Sequence, residues 1–228
     1  MIAGVFRLPR FCPRSSASVA MLMLAACGRP DRQPDRPGAS RPTIATPSLR
    51  ETAQCLADLR QMNVAYRVLP DRDFGNGCGL SGAVQLVEIG VPVTGITAMR
   101  CGEARAFSAW VRNALAPAAW QMLGSELASV QGMGSYACRN VVGTARGGGR
   151  RSGHAIANAV DFGGVTLKDG RRVSVLRDWT SPDPQVQRFL TTIHDSACRR
   201  FGTVLSPAYN AAHRDHLHLE DDRAGVCR

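Results

Sequence analysis

The chain has 228 residues, with 28 Lys+Arg against 18 Asp+Glu and a formal net charge of +10 at pH 7. Hydrophobic residues make up 44% and charged residues 20%. That balance excludes wholesale disorder, a collagen-like chain and a coiled coil, and the length suits one domain with an appendage.

The chain opens on an address. Arg7, Arg10 and Arg14 form a positive start with no acid through residue 26. An apolar run over 17–26 follows, too short to span ~30 Å of hydrocarbon as a permanent helix. It ends Leu24-Ala25-Ala26-Cys27, which resembles a lipobox. The resemblance implies a signal peptide over 1–26, lipidation at Cys27, a membrane anchor there, and an envelope lipoprotein facing the periplasm. Gly28 rather than aspartate next to Cys27 favours the outer membrane. Residues 28–48, with prolines at 30, 34, 37 and 42, lack apolar periodicity and read as a disordered tether. The working domain is then 49–228.

Export reorganises the eight cysteines. Cys12 leaves with the signal and Cys27 takes lipid. Cys55, Cys78, Cys101, Cys138, Cys198 and Cys227 remain. An even set of six in an oxidising compartment reads as three disulfides. Cys55–Cys78 is attractive because it closes a local loop, leaving Cys138–Cys198 with Cys101–Cys227 as one of the remaining options. The chain has no C-x2-C pair, which argues against a cysteine zinc site.

Along the domain, apolar spacing predicts a helix over 49–62 and a strand over 64–69. Asn76-Gly77 marks a turn within 71–79. A strand follows over 84–89. Phe107, Trp110, Val111 and Leu115 stripe a helix over 103–115, which Pro117 should end or kink, with a further helical turn over 118–123. A strand is expected over 126–131. Strands over 159–167 and 172–176 flank Lys168-Asp169-Gly170 as a hairpin. A helix over 184–201 is expected, with Val186, Phe189, Leu190, Ile193 and Ala197 on one face, and short strands follow over 203–205 and 216–219. Helices and antiparallel strands mix without a βαβ rhythm, so the class is α+β, a small antiparallel sheet with flanking helices.

The chemistry gathers around the histidines. Of five, four fall in two polar segments: His154, and His213, His216 and His218. Zinc favours neutral imidazole nitrogen with a carboxylate as complement. Residues 216 and 218 of a strand share a face. A mononuclear Zn2+ site of His154, Asp161 and His218 is therefore expected, with a position left open for water. Such water has its pKa lowered to ~7, and Asp215, just before the strand, is placed to accept its proton. His194 has no motif partner and reads as a surface or packing residue. The loop 146–151 reads as a basic rim to the site, because it lacks the lysine and serine spacing of a phosphate loop.

Ser152-x-His154-x6-Asp161 with a later His213-x-Asp215-His216-x-His218 resembles the zinc D-alanyl-D-alanine carboxypeptidases, which share a fold with lysostaphin-type peptidases and hedgehog domains. The surrounding text is more similar still to an extensin-like C-terminal family of bacterial proteins. That similarity is carried by Gly134-Ser135-Tyr136-Ala137-Cys138-Arg139, Ser152-Gly153-His154, Asn158-Ala159-Val160-Asp161, Ala197-Cys198 and Thr203-Val204-Leu205. The resemblance implies a hedgehog/D-Ala-D-Ala-peptidase-like fold with His154, Asp161 and His218 as metal ligands and Asp215 as general base. It implies that His216 stabilises the oxyanion, Arg139 holds a substrate carboxylate or carbonyl, and Ser152 supports the loop or binds substrate. Ala157 stands where the peptidase pattern has glycine, and aspartate where many relatives have a glutamate base. The expected activity is a zinc metallopeptidase, a carboxypeptidase or endopeptidase acting on peptidoglycan stem peptides, and the expected state is a monomer. The alternative is a non-catalytic wall-binding lipoprotein that keeps the fold. Basicity alone suggests nucleic acid, but an exported disulfide-bearing chain does not.

Overall fold

The computed structural model describes residues 45–143 and 149–228. The expected signal, lipidated Cys27 and most of the tether fall outside the described residues, as do residues 146–148 of the 146–151 loop.

The first helix, α1 (Leu49–Gln61), starts at a capping box. Ser48 Oγ accepts from the Glu51 N–H at 3.2 Å, and Glu51 accepts in return from the Ser48 N–H at 2.8 Å. This exchange satisfies donors that a helix start otherwise leaves open. Four strands follow: β1 (Ala65–Val68), β2 (Arg72–Gly75), β3 (Cys78–Leu80) and β4 (Ala83–Glu88). The expected turn at Asn76-Gly77 is thus the tip of a short hairpin, β2–β3, whose first strand is exposed throughout and has no apolar alternation to betray it.

Two-residue strands β5 (Val93–Thr94) and β6 (Met99–Arg100) lead into α2 (Cys101–Trp110). The helix does not end at Pro117. Val111–Leu115 forms a π-helical turn and α3 (Ala116–Leu123) continues beyond it. Within that turn the Ala116 N–H reaches back to the Val111 carbonyl. The wider turn absorbs the donor that proline lacks. Gly124, at φ +70°, closes α3 in the left-handed conformation.

The remaining elements are β7 (Leu127–Gly134), β8 (Ala159–Leu167), β9 (Arg172–Ser174), α4 (Val175–Asp178), α5 (Pro184–Cys198), β10 (Thr203–Leu205), β11 (Leu217–Glu220) and β12 (Val226–Cys227). The hairpin strand expected to reach residue 176 stops at Ser174, whose hydroxyl caps α4 by accepting from the Arg177 N–H. Asp183 caps α5 and Pro184 fills its first position.

The class is α+β, as expected, but the sheet is neither small nor wholly antiparallel. Its order is β12-β10-β11-β8-β7-β5, with β9 also on β8, and the edge pairs β10/β12 and β5/β7 are parallel. Each added edge strand is two residues long and arrives by a crossover, which alternation within a strand cannot reveal. A three-stranded sheet, β1-β4-β6, stands apart from it.

One face of the main sheet carries the core. Phe162 of β8 meets Trp110 edge-on at 5.2 Å, and Trp110 also contacts Phe107 and Phe201. The indole N–H of Trp110 donates to Ser196 Oγ at 2.9 Å, so its one polar atom is satisfied. Leu217, Leu219, Val160, Phe189 and Ile193 are buried in the same cluster.

The disulfides are Cys55–Cys101, Cys78–Cys138 and Cys198–Cys227. This corrects the sequence-based pairing in full. Doubling a loop raises its closure cost by only about 0.6 kcal/mol, so a short Cys55–Cys78 loop had little to offer against helix packing. α1 packs on α2 and Cys55 meets Cys101 there. Three disulfides fit an oxidising, extracytoplasmic compartment. Among the described residues no helix is long and apolar enough to cross a membrane.

Candidate metal centre

β8 and β11 pair antiparallel with His218 opposite Asp161. Because side chains alternate, Leu217 and Leu219 face the core while His218 and Glu220 face the other side. Asp161 shares their face, between the core residues Val160 and Phe162.

His154 reaches the same point from a 3-10 turn, Gly153–Ile156. Ser152 caps the turn, its Oγ accepting from the His154 N–H at 3.4 Å. The segment before β8 is braced from outside: the Ser152 N–H donates to the Arg139 carbonyl, and the Ala137 N–H to the His154 carbonyl. The Cys78–Cys138 disulfide pins that brace to β3. Ala157 ends the turn at φ +54°, a left-handed conformation. Glycine enters this conformation more freely than alanine, which holds it here. Asn158 then ties the start of β8 to the Asp221 carbonyl at 2.8 Å.

Three donor atoms converge. His154 Nε2 lies 3.1 Å from Asp161 Oδ1 and 3.1 Å from His218 Nδ1, and His218 Nδ1 lies 2.9 Å from Asp161 Oδ1. The residues are 2%, 8% and 5% exposed, respectively. Ligands ~2.0–2.1 Å from a tetrahedral zinc ion lie ~3.3 Å apart. The observed triangle is slightly tighter but close to that spacing, so these three atoms would suit an ion of that size. Two imidazole nitrogens and a carboxylate oxygen facing one another suit a cation, and these three residues are a group able to hold a metal.

Glu220 completes the arrangement. Its Oε1 lies 2.8 Å from His218 Nε2. A proton held on that nitrogen leaves the Nδ1 lone pair for a metal, the carboxylate–histidine pairing common behind metal ligands. Gly153 makes room for it, since a Cβ there would lie 2.7 Å from Glu220 Cδ. Sequence reading missed Glu220, although the same alternation that joined 216 to 218 also reaches 220. Behind it, Glu103 is fully buried and accepts the Asp221 N–H at 2.6 Å. Burial, and then the neighbouring Asp221 charge, push the Glu103 carboxyl well up.

The protonation pattern follows from these contacts. Burial opposes the charge on Asp161, but hydrogen bonds from His154 and His218 outweigh it and hold the carboxyl well below its usual range. Burial likewise opposes a charged His218, yet Asp161 and Glu220 raise it to about 9. His213 lies in the same cluster and is lowered to about 4 by burial and by the charges of His218 and His216.

The other expected residues surround this centre. His216 Nε2 lies 3.4 Å from Asp161 Oδ1, beside the three donors. Its Nδ1 is 2.8 Å from Asp215 Oδ1. Asp215 therefore stands behind His216. His213 is buried, bonds Asn210 Oδ1 at 2.7 Å and stacks obliquely on His216. A cavity of about 150 Å³ adjoins the centre, lined by Arg139, Arg150, Ser152, Tyr209, His213 and His218 among others. A larger hollow of about 620 Å³ beside the start of α2 is lined by none of the three donors. Converging donors, rather than the size of a hollow, mark the site. His194 lies elsewhere, on α5 against Trp179.

A family profile described as "Extensin-like protein C-terminus" matches residues 53–228. No curated protein and no solved structure matches the chain.

Proposed function

The chain belongs to the extensin-like C-terminal family, and from that premise we propose that it is a zinc peptidase of the bacterial envelope, acting on peptidoglycan stem peptides. The observation that carries this reading is the convergence of His154 Nε2, Asp161 Oδ1 and His218 Nδ1, with His216 Nε2 next to them. Two nitrogens and one oxygen, three protein donors rather than four, are the donor set of a catalytic rather than a closed structural zinc site. A zinc ion held there supplies Lewis acidity, polarising a substrate carbonyl and lowering the pKa of water towards ~7.

The chain's own residues do the rest. Glu220 fixes the His218 tautomer. Asp215 Oδ1 holds the proton of His216 on Nδ1, which leaves His216 Nε2 free to take a proton from the attacking water. Asp215 and His216 thus act as one base. Once protonated, His216 faces the developing oxyanion and donates to it. Arg139 lines the adjoining cavity, where its planar fork suits a carboxylate or the scissile carbonyl. Ser152 holds the His154 turn. The lipobox-like start, the three disulfides and the basic tether support an envelope lipoprotein anchored at Cys27, and we read it as a monomer with the outer membrane as its address.

The test is digestion of purified muropeptides in the presence of zinc. Wild type should release product, and Asp215→Ala should retain zinc while losing roughly 10²–10⁴-fold in rate. A wild-type protein that binds sacculi and zinc but releases nothing overturns the peptidase reading in favour of a wall-binding lipoprotein.

A further inference from the structure

A second cluster of metal-type side chains lies where α5 ends. His194 and Cys198 are four residues apart on the helix and share a face. β12 pairs in parallel with β10, with Cys227 opposite Val204, and this brings the second sulfur to the same place. The ligand atoms of His194, Cys198 and Cys227 all lie within 4.8 Å of one another. His194 Nε2 is 3.8 Å from Cys198 Sγ and 4.0 Å from Cys227 Sγ. Its Nδ1 faces Asp195 Oδ1 at 3.2 Å, so the ring proton belongs on Nδ1 and the Nε2 lone pair faces the sulfurs. Trp179 walls the ring edge-on at 5.8 Å. Cys227 is exposed. Among the described residues neither of the other two disulfides joins such a histidine group.

We propose that the Cys198–Cys227 disulfide masks a redox-gated metal site, which a dithiol reductant opens as two thiolates and the His194 imidazole for a soft divalent cation such as zinc. The dithiol supplies two electrons and two protons. The Cys198–Cys227 bond breaks, both cysteines become thiols, and the reductant leaves as its own disulfide. The cation then displaces both thiol protons to solvent, bonds the two sulfurs and Nε2, and takes water as a fourth ligand. Geometry favours the step. With bonds of ~2.3 Å to sulfur and ~2.0–2.1 Å to nitrogen, a tetrahedral site separates N from S by ~3.6 Å and S from S by ~3.8 Å. The imidazole already stands close to that distance from both sulfurs. Only the sulfurs must part, and Cys227 has solvent into which to rotate. Asp195 plays for His194 the part that Glu220 plays for His218, holding the far proton.

The experiment uses the full chain, reduced with dithiothreitol, freed of reductant without air and titrated with Co2+. A thiolate-to-cobalt charge-transfer absorption should grow to one ion per chain and collapse on reoxidation. The first centre offers only nitrogen and oxygen, so the band comes from thiolates, and the cysteine variants decide which of the reduced pairs supplies them. Cys198→Ala should abolish it, and so should Cys227→Ser, which leaves α5 untouched. His194→Gln should weaken cobalt binding at least about tenfold and shift the band. Cys138→Ala, which opens a different disulfide, should leave the band in place. No band in the reduced folded chain, a band surviving Cys198→Ala, or binding indifferent to His194→Gln overturns the proposal.

Discussion

Two faces of one pair of strands do opposite work. On β8 and β11, Val160, Phe162, Leu217 and Leu219 face the helices and are fully buried. Their immediate neighbours Asp161, His218 and Glu220 are almost as buried, on the other face. The first set is held by apolar packing, which tolerates shape changes at a cost in stability. The second is held by polar pairing, in which Asp161 Oδ1 and Glu220 Oε1 flank the two nitrogens of His218. A slip of one residue between β8 and β11 would exchange the two sets. Stability and chemistry therefore rest on the same register, yet they should respond to different substitutions.

The largest effects test that separation directly. Phe162→Ala removes the ring packed on Trp110 and should cost about 3–5 kcal/mol of stability, read from urea denaturation. The chain that stays folded should bind zinc with near wild-type affinity. Asp161→Ala should do the reverse, lowering zinc affinity by more than about 100-fold, beyond what loss of an outer partner costs. Its metal-free unfolding midpoint should move less than that of Phe162→Ala. If the folded Phe162 variant cannot hold zinc, or if Asp161→Ala unfolds the chain as severely, the faces are not separable.

Glu220→Gln probes the polar face one step out. Losing the carboxylate on His218 Nε2 should weaken zinc by roughly 10–100-fold. It should also change the proton count. Asp161 and Glu220 raise His218 to about 9, above the ~6.5 of an unfolded histidine. In the metal-free chain that proton stabilises the fold fully below pH ~6.5, and the contribution is lost as pH rises through 9. Zinc must displace the same proton, so wild-type affinity should rise with pH up to about 9, with close to one proton released at pH 8. Calorimetry in buffers of different ionisation enthalpy measures the release, which should shrink in Glu220→Gln. Proton release unchanged by the substitution would mean that Glu220 does not govern His218.

How much of this was legible depended on the range of the interaction. α1 was readable because Ser48 and Glu51 cap it locally and its apolar spacing is helical. The three donors were readable because H-x6-D spans one turn and one strand entry, and because strand parity joins 216 to 218. Glu220 obeyed the same parity but carried no motif to draw attention to it. At Pro117 the further helical turn was legible but the unbroken join was not, because the proline's cost is local, whereas the compensation is tertiary: Trp110, Val111 and Leu115 before it and Ala118, Ala119 and Leu123 after it are buried, and a π-turn keeps them so. The disulfides were illegible for a related reason. Pairing follows which elements touch, and Cys227 reaches Cys198 only because a two-residue strand crosses to β10.

The smallest expected effect lies at the seam between the faces. Ala157 joins the His154 turn to β8 at φ +54°, and its carbonyl accepts the Arg100 N–H at 2.7 Å. The left-handed conformation costs an L-residue about 1–2 kcal/mol. Glycine there removes that strain but gives up a buried methyl, worth about 0.8 kcal/mol, and gains about 0.4–1 kcal/mol of freedom when unfolded. The terms nearly cancel, so Ala157→Gly should change stability by less than about 1 kcal/mol and leave zinc affinity unaltered. Ala157→Val places a branched side chain where the backbone disfavours it most and should cost more than about 2 kcal/mol. Denaturation and zinc titration of both variants check this. A Gly variant that binds zinc tenfold more weakly would show that the alanine methyl, and not the backbone turn, sets the position of His154.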